Sequence, residues 1–122
     1  MKIDEYLASL PQSILSGQEV QLPDNAFREI FQFVGLGRDD IFYHLGCGNG
    51  KGISIALEEF GVKKAVGVDS DDKKIGLATK LLKEKNLSGY TLQCQDTRQA
   101  DLSDATVILF WFADQQVIEN MI

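Results

Sequence analysis

A glycine-rich stretch near the middle of the chain constrains its fold more than any other feature. The residues Gly46-Cys47-Gly48-Asn49-Gly50 follow a short apolar run, residues 41–45, and lead directly into a segment with helical spacing of apolar residues. Alternating glycines let the backbone take positive φ and approach a bound molecule closely, while the free N–H groups of the next helix face the same space. The stretch predicts a strand, a ligand-binding turn and a helix; a tight turn without a ligand is the alternative.

The spacing of these glycines narrows the kind of ligand. The dinucleotide fingerprint G-x-G-x-x-G, counted from Gly46 and Gly48, needs a glycine where the chain has Lys51. A phosphate loop of the G-x-x-x-x-G-K-[ST] type has no support either, because Lys51 is followed by Gly52. The remaining pattern, G-x-G-x-G, favours a nucleotide-like ligand and disfavours NAD and hydrolysis of ATP or GTP.

Beyond Asp40, short apolar runs alternate with longer amphipathic segments, which is typical of an α/β fold with a parallel sheet. Strands are predicted at residues 41–45, 64–68, 90–94 and 106–112, and helices at residues 24–34, 51–60 and 71–86, with another beginning near Asp114. Residues 21–122 are expected to form one domain. Residues 1–20 are expected to form an N-terminal helical extension, because one helical face up to Pro11 is apolar and carries Ile3, Tyr6, Leu7 and Leu10.

Polar residues follow the second and third predicted strands. Asp69 comes 23 positions after Gly46, the arrangement in which a carboxylate accepts hydrogen bonds from both hydroxyls of a ribose. Its alternative role, capping the next helix, is assigned to Ser70. Asp96 and Thr97 lie where a side chain reaches an adenine edge, or where an Asx turn only shapes a loop.

With the glycine turn and this acid, the chain resembles the class I S-adenosylmethionine (SAM) dependent methyltransferases. Residues 40–50, Asp-Ile-Phe-Tyr-His-Leu-Gly-Cys-Gly-Asn-Gly, are similar to the first motif of that family, and Asp69 matches its ribose-binding acid. Residues 62–69 and 101–107 look like those of small archaeal and bacterial protein-lysine methyltransferases outside the SET class. The family's upstream segment is matched by Pro23 and the helix after it, so the resemblance covers about residues 21–122.

The resemblance implies a Rossmann-like parallel sheet with strand order 3-2-1-4, SAM as cofactor, and a protein or small-molecule methyl acceptor, with lysine side chains of proteins as the favoured acceptor. The residues expected against the cofactor are His44, Gly46, Cys47, Gly48, Asn49, Gly50, Asp69, Ser70, Asp96 and Thr97. No catalytic residue is assigned, because the sulfonium of SAM is intrinsically activated and positioning can suffice for the transfer.

Two features depart from the family's pattern. His44 stands where the family has an acidic residue that engages the amino end of the methionine moiety, so it either contacts the cofactor or ends the strand with a backbone hydrogen bond. The family's fold also continues after the fourth strand, whereas this chain stops at Ile122. The edge of the fourth strand is therefore expected to pair in a homodimer or with another chain. The alternative function is a truncated SAM-binding module without turnover, or a subunit completed by another chain.

Charge and composition set the expected partners. The 122 residues include 12 basic and 18 acidic side chains, a net charge of −6, which disfavours nucleic acid and anionic lipid. No apolar run approaches the ~18 residues of a membrane-spanning helix. Two unclustered cysteines and the lack of an apolar leader favour the cytoplasm, and with His44 they make no metal site. Phe110, Trp111 and Phe112 line either a channel for a lysine methyl group or the core.

Overall fold

The computed structural model describes residues 22–110 of the chain. Its elements are the helices α1 (Asp24–Val34), α2 (Lys51–Glu59) and α3 (Asp72–Glu84), the strands β1 (Ile41–Leu45), β2 (Lys64–Asp69), β3 (Tyr90–Cys94) and β4 (Val107–Phe110), and a 3-10 turn at Thr97–Gln99. The helix expected within residues 1–20, the residues Trp111 and Phe112, and the helix expected from Asp114 lie outside the described residues. No helix in residues 22–110 is long and apolar enough to cross a membrane.

The strands form one parallel sheet in the order β3-β2-β1-β4. In its register, Tyr43 of β1 lies opposite Val66 of β2 and Ile108 of β4, and Val66 lies opposite Thr91 of β3. The predicted α/β class and the strand order 3-2-1-4 are confirmed. Because β1 and β2 are parallel neighbours, the turn after β1 and the residues after β2 meet at one edge of the sheet.

The helices of the described part pack on one face of the sheet and enclose the larger core. α1 contributes Phe27 and Phe31, whose spacing places them on one helical face. The ring of Phe31 makes edge contacts with Phe42 of β1 at 5.0 Å and with Phe60 after α2 at 5.4 Å between centroids. The other buried members of this core include Leu22, Ala26, Ile30, Leu36, Ile53, Ile55, Ala56, Ala65, Leu82 and Leu109.

An irregular segment, residues 95–106, covers the opposite face and is called the cover segment below. The buried residues of this face are Tyr43, Leu45, Val66 and Val68, and those packed on them from the cover segment are Ala100, Leu102 and Ala105. The hydroxyl of Tyr43 donates a 2.5 Å hydrogen bond to Asp104 in this segment. That hydrogen bond, together with burial, raises the pKa of Tyr43 to about 12. The sheet therefore has helices on one face, and on the other face it has the cover segment, which is held by the hydrogen bond from Tyr43 to Asp104.

The N-terminus of α3 corrects one prediction. Asp71, not Ser70, caps this helix: its carboxylate accepts from the backbone N–H of Lys73 at 2.9 Å and of Lys74 at 3.4 Å. Ser70 and Asp71 both have side chains that can cap a helix. Because the helix begins one position later than predicted, at Asp72, the capping residue is Asp71. Ser70 is left exposed between β2 and the cap.

Candidate functional site

The glycine turn connects β1 to α2 in a left-handed conformation. Gly46, Gly48 and Gly50 have φ values of 80°, 55° and 87°. The N–H groups of Gly46 and Cys47 both donate to the carbonyl of Val68, at 2.7 and 3.1 Å. The turn is thus tied to the end of β2 through its backbone, and its glycines have the positive φ that the sequence predicts.

Gly50 shows why one of these positions excludes a side chain. It lies just before α2, and a Cβ atom built on it would lie only 2.9 Å from the Cβ of Ala78 in α3. Its positive φ is also unfavourable for residues other than glycine. The turn is therefore pressed against α3, and a small residue is needed on both sides of the contact.

Asp69 joins the two loops at this edge of the sheet. It ends β2 and is 9% exposed. Its Oδ2 atom accepts from the backbone N–H of Gly48 at 2.9 Å, and its Oδ1 atom accepts from that of Asp71 at 2.9 Å. Each carboxylate oxygen can accept a second hydrogen bond, so Asp69 can hold the glycine turn and still receive the hydroxyls of a ribose.

The side chains within the turn have structural contacts. Cys47 is fully buried, and a Cβ on Gly67 of β2 would lie 2.9 Å from its sulfur, so the thiol fills the space that this glycine leaves. Burial, and to a smaller extent the charge of Asp69, raises the pKa of Cys47 to about 12, which leaves a neutral thiol unsuited to nucleophilic chemistry. The side-chain oxygen of Asn49 accepts from the N–H of Lys51 at 3.2 Å.

The exit from β3 lies beside Asp69 because the N–H of Gln95 donates to the Asp69 carbonyl at 3.0 Å. The carboxylate of Asp96 accepts from the backbone N–H of Arg98 at 2.9 Å and forms an ion pair with its guanidinium at 2.7 Å. Those contacts lower the pKa of Asp96 to about 2. Thr97 is 8% exposed. The Asx-turn geometry at Asp96 is therefore present, and the residue also lies at the edge where an adenine contact was expected.

His44 lies on the helix-covered face of β1. It is 1% exposed, and neither ring nitrogen has a hydrogen-bond partner among the described residues. The backbone hydrogen bond considered for it is absent from that part of the chain. Its ring makes an edge contact with Phe27 at 5.6 Å and a tilted contact with Phe42 at 6.1 Å. Burial lowers the pKa of His44 from its ordinary value of 6.5 to about 3, so the imidazole is neutral at pH 7.

Two ion pairs connect α1 to α2 on the outside of the molecule. Lys51, the first residue of α2, lies 3.5 Å from the carboxylate of Asp24 at the start of α1. One turn further along α1, the guanidinium of Arg28 forms two hydrogen bonds with the carboxylate of Glu59, the last residue of α2, at 2.8 and 2.9 Å. Both pairs are partly exposed, so they orient α1 more than they stabilise the fold.

Several residues that shape the site have no signal in a sequence motif. Gly52, Gly67 and Ala78 matter because each faces a side chain or turn that is distant in sequence. Asp71 matters because it caps α3 and donates its N–H to Asp69. In residues 22–110, no three side chains of His, Cys, Asp or Glu are grouped so that they could hold a metal ion.

Comparison with known proteins identifies the family. The family model described as a methyltransferase domain matches residues 42–120. A protein-lysine N-methyltransferase from Saccharolobus islandicus (strain REY15A) is 34% identical over 90 residues, which is 73% of this chain and 56% of that protein. A trans-aconitate 2-methyltransferase from Agrobacterium fabrum is 29% identical over 75% of this chain and 36% of its own.

A solved structure is similar as well. The crystal structure of an RNA methyltransferase from Salinibacter ruber in complex with S-adenosyl-L-homocysteine superimposes with a TM-score of 0.73, at 26% identity, over 76% of this chain and 61% of that one. The chain therefore belongs to the methyltransferase domain family, of the class I, SAM-dependent type. It spans about half the length of the curated protein-lysine relative and about a third of the other.

Proposed function

We propose that this chain binds SAM at the glycine turn and transfers its methyl group to lysine side chains of proteins. The observation that supports SAM binding is the contact between the glycine turn and Asp69. The turn has three glycines with positive φ, and one of them donates its N–H to the carboxylate of Asp69 at the end of the neighbouring strand. The solved relative was crystallised with S-adenosyl-L-homocysteine, the demethylated product of SAM. The family and the geometry point to the same cofactor.

The residues present fit this cofactor. Asp69 has acceptor capacity left for the ribose hydroxyls, and the backbone of Gly46, Gly48 and Gly50 leaves room for close approach. Ser70, exposed beside Asp69, and Asp96 and Thr97, at the exit of β3, are proposed to border the nucleoside. When bound, SAM supplies a methyl group already activated by its sulfonium. The chain's own contribution is to hold the cofactor and exclude water around it.

The chemistry of the transfer requires an acceptor amine in its neutral form. A bond forms between the lysine nitrogen and the methyl carbon while the carbon–sulfur bond breaks, and the nitrogen loses a proton to solvent or to a base. Among the described residues, the neutral thiol of Cys47 and the buried ring of His44 are poorly placed to take that proton. Transfer is therefore proposed to rely on positioning.

Charge favours lysine over the other acceptors named among the relatives. Trans-aconitate is a polyanion and RNA is a polyphosphate, whereas the chain has a net charge of −6. A negative protein surface attracts cationic side chains and repels anions over distances of about 10 Å at moderate salt. The 34% identical relative, a protein-lysine N-methyltransferase, supports the same choice.

The test has a binding arm and a transfer arm. Calorimetry should show binding of both SAM and S-adenosyl-L-homocysteine to the 122-residue chain. Mass spectrometry should then show methyl groups on a polylysine peptide and none on a matched polyarginine peptide or on trans-aconitate. No binding of either cofactor form would contradict the assignment of the site, and transfer to trans-aconitate alone would contradict the acceptor class.

A SAM-binding module without turnover, or a subunit completed by another chain, is the second candidate. The observation that favours it is the position of β4, which pairs with β1 on one side while no strand of residues 22–110 pairs with its other side. Binding of SAM without methyl transfer to any of the three acceptors would support this candidate.

A further inference from the structure

The buried imidazole of His44 is part of an aromatic cluster beneath the cofactor turn. Its ring contacts Phe27 of α1 and Phe42 of β1, and Phe31 extends the cluster from α1. Aromatic pairs with centroids 4.5 to 7 Å apart are attractive beyond the area that they bury. Both ring nitrogens are shielded from solvent and have no partner in the described part of the chain. The contacts that the structure gives to His44 are therefore those of an aromatic ring.

The ring of His44 leaves no room for a side chain at Gly52, in the first turn of α2. A Cβ atom built there would lie 2.8 Å from Nδ1 of His44 and 2.8 Å from Cε1 of Phe27. Alanine is the better helix former, so glycine at this helical position has a steric cause. The missing Cβ lets β1, α1 and the start of α2 meet at one point.

This contact lies close in sequence to the turn that is proposed to hold SAM. Gly52 comes two residues after Gly50, the last glycine of the turn. The two outer ion pairs, Lys51 with Asp24 and Glu59 with Arg28, tie the same two helices together. A displacement of α1 away from α2 would therefore pull on the residue that directly follows the turn.

A cofactor contact by His44 would need a different arrangement. The ring contacts Phe27 and Phe42, and its Nδ1 atom faces the space that Gly52 leaves open. Both ring nitrogens are buried, so a hydrogen bond to a ligand would require the packing around the ring to open. An acidic residue in the same place would bury a charge that no described neighbour pairs, which is strongly unfavourable. The family's usual acid and this chain's packing are thus incompatible.

We propose that His44 is a positioning residue: its ring, set between Phe27 and Gly52, fixes the distance between α1 and the cofactor turn, and it makes no hydrogen bond to the cofactor. The affinity part of this proposal rests on the proposed function, because it presumes that SAM binds at the turn. The packing part does not depend on it.

The first experiment measures packing by hydrogen exchange. Gly52→Ala should speed exchange of the α1 amides by at least about tenfold, because the new methyl group pushes the rings of His44 and Phe27 outward. The double variant Gly52→Ala with His44→Ala should return α1 part of the way to its parental rate, since loss of the imidazole leaves room into which the ring of Phe27 can move. Gly76→Ala is the matched control: nothing lies within 4 Å of its Cβ position in α3, so α1 exchange should stay at the parental rate.

The second experiment measures SAM affinity by calorimetry. Gly52→Ala should weaken binding by at least about fivefold, with recovery in the double variant. His44→Phe keeps the ring and removes the two nitrogens, so it should bind SAM within about twofold of the parent. His44→Asp restores the family's acid, and we expect lower thermal stability and no gain in affinity.

The outcomes separate this proposal from the proposed function. A parent chain that does not bind SAM contradicts the proposed function, while the exchange results still decide the packing. Unchanged α1 exchange in Gly52→Ala, or no recovery in the double variant, overturns the positioning role. Tighter SAM binding by His44→Asp, or loss of binding by a folded His44→Phe, shows instead that His44 contacts the cofactor.

Discussion

At the scale of single residues, Asp69 combines two tasks. Its carboxylate holds the N–H groups of Gly48 and Asp71, and the same oxygens are proposed to receive the ribose. Asp69→Ala should weaken SAM binding by ~1.5 to 3 kcal/mol, because it removes the charge-assisted hydrogen bonds to the ribose and the hydrogen bond that holds Gly48 of the turn. Calorimetry with the parent and the variant measures this difference.

The control for Asp69 is its neighbour. Asp71→Ala removes the cap of α3 and should lower the free energy of unfolding by about 1 kcal/mol, with SAM affinity close to the parental value. Equal SAM affinity in the parent and in Asp69→Ala would show that the ligand lies elsewhere.

His44 should make stability depend on pH. The pKa of His44 is about 3 in the folded chain and 6.5 ordinarily, so below pH 6.5 the unfolded state binds a proton that the folded state does not. The stability is fully present above that pH and is lost as the pH falls towards 3, with a loss of about 2 kcal/mol between pH 7 and pH 5.

Comparison with His44→Phe isolates this contribution, because the other titrating groups are common to both chains. Urea unfolding at a series of pH values should give a smaller loss of stability for the variant. Parallel curves for the two chains between pH 7 and pH 5 would be inconsistent with a buried neutral imidazole.

The sequence predicted the roles of residues that belong to a local motif. It did not predict the roles of residues that depend on contacts with parts of the chain distant in sequence. The glycine turn was predictable because positive φ at alternate positions is a local requirement. The role of Gly52 was not, since it depends on rings from β1 and α1. The two roles considered for His44 were both hydrogen bonds, and its aromatic packing depends on Phe27, 17 positions earlier in the chain.

At the scale of elements, periodicity located the helices and strands well, and their ends less well. The four strands and three helices of residues 22–110 match the predicted segments, because alternating apolar runs and amphipathic stretches mark buried strands and half-buried helices. The ends moved by one or two residues where several side chains suited the same cap, as at Ser70 and Asp71. The cover segment showed no periodicity, and its burial of Tyr43 depends on a long-range contact to Asp104.

The packing of α3 against the turn predicts opposite effects for two glycine substitutions. Gly50→Ala adds a methyl group 2.9 Å from Ala78 at a residue with φ of 87°, so it should destabilise the chain by at least ~1 kcal/mol and weaken SAM binding. Gly76→Ala lies within α3 with open space around its Cβ position. It should stabilise the chain by roughly 0.5–1 kcal/mol and leave SAM affinity unchanged.

Thermal unfolding with and without SAM tests both substitutions. If Gly50→Ala unfolds and binds like the parent, the turn is not held against α3 as the structure indicates. A loss of stability in Gly76→Ala would mean that its side of α3 is covered by a part of the molecule outside residues 22–110.

At the scale of the whole molecule, the sheet order leaves β4 as an edge within the described residues. β4 (Val107–Phe110) pairs only with β1 in this part of the chain. Edge strands with unpaired backbone groups and large apolar side chains favour association. We infer that this edge pairs with a second copy of the chain, the residues outside the described range being the other possible cover.

Sedimentation velocity over a range of concentrations tests this association, with two lysine substitutions as a matched pair. The parent should form a dimer as its concentration rises. Phe110→Lys places a charge at the β4 edge and should shift the chain to monomer. Leu77→Lys changes a residue of α3 that is 57% exposed and lies on the helical layer, away from the edge, so the dimer should persist.

A parent that remains a folded monomer at high micromolar concentration contradicts the dimer and indicates that the chain's own residues cover the edge. A dimer lost equally in both variants would place the interface elsewhere on the surface.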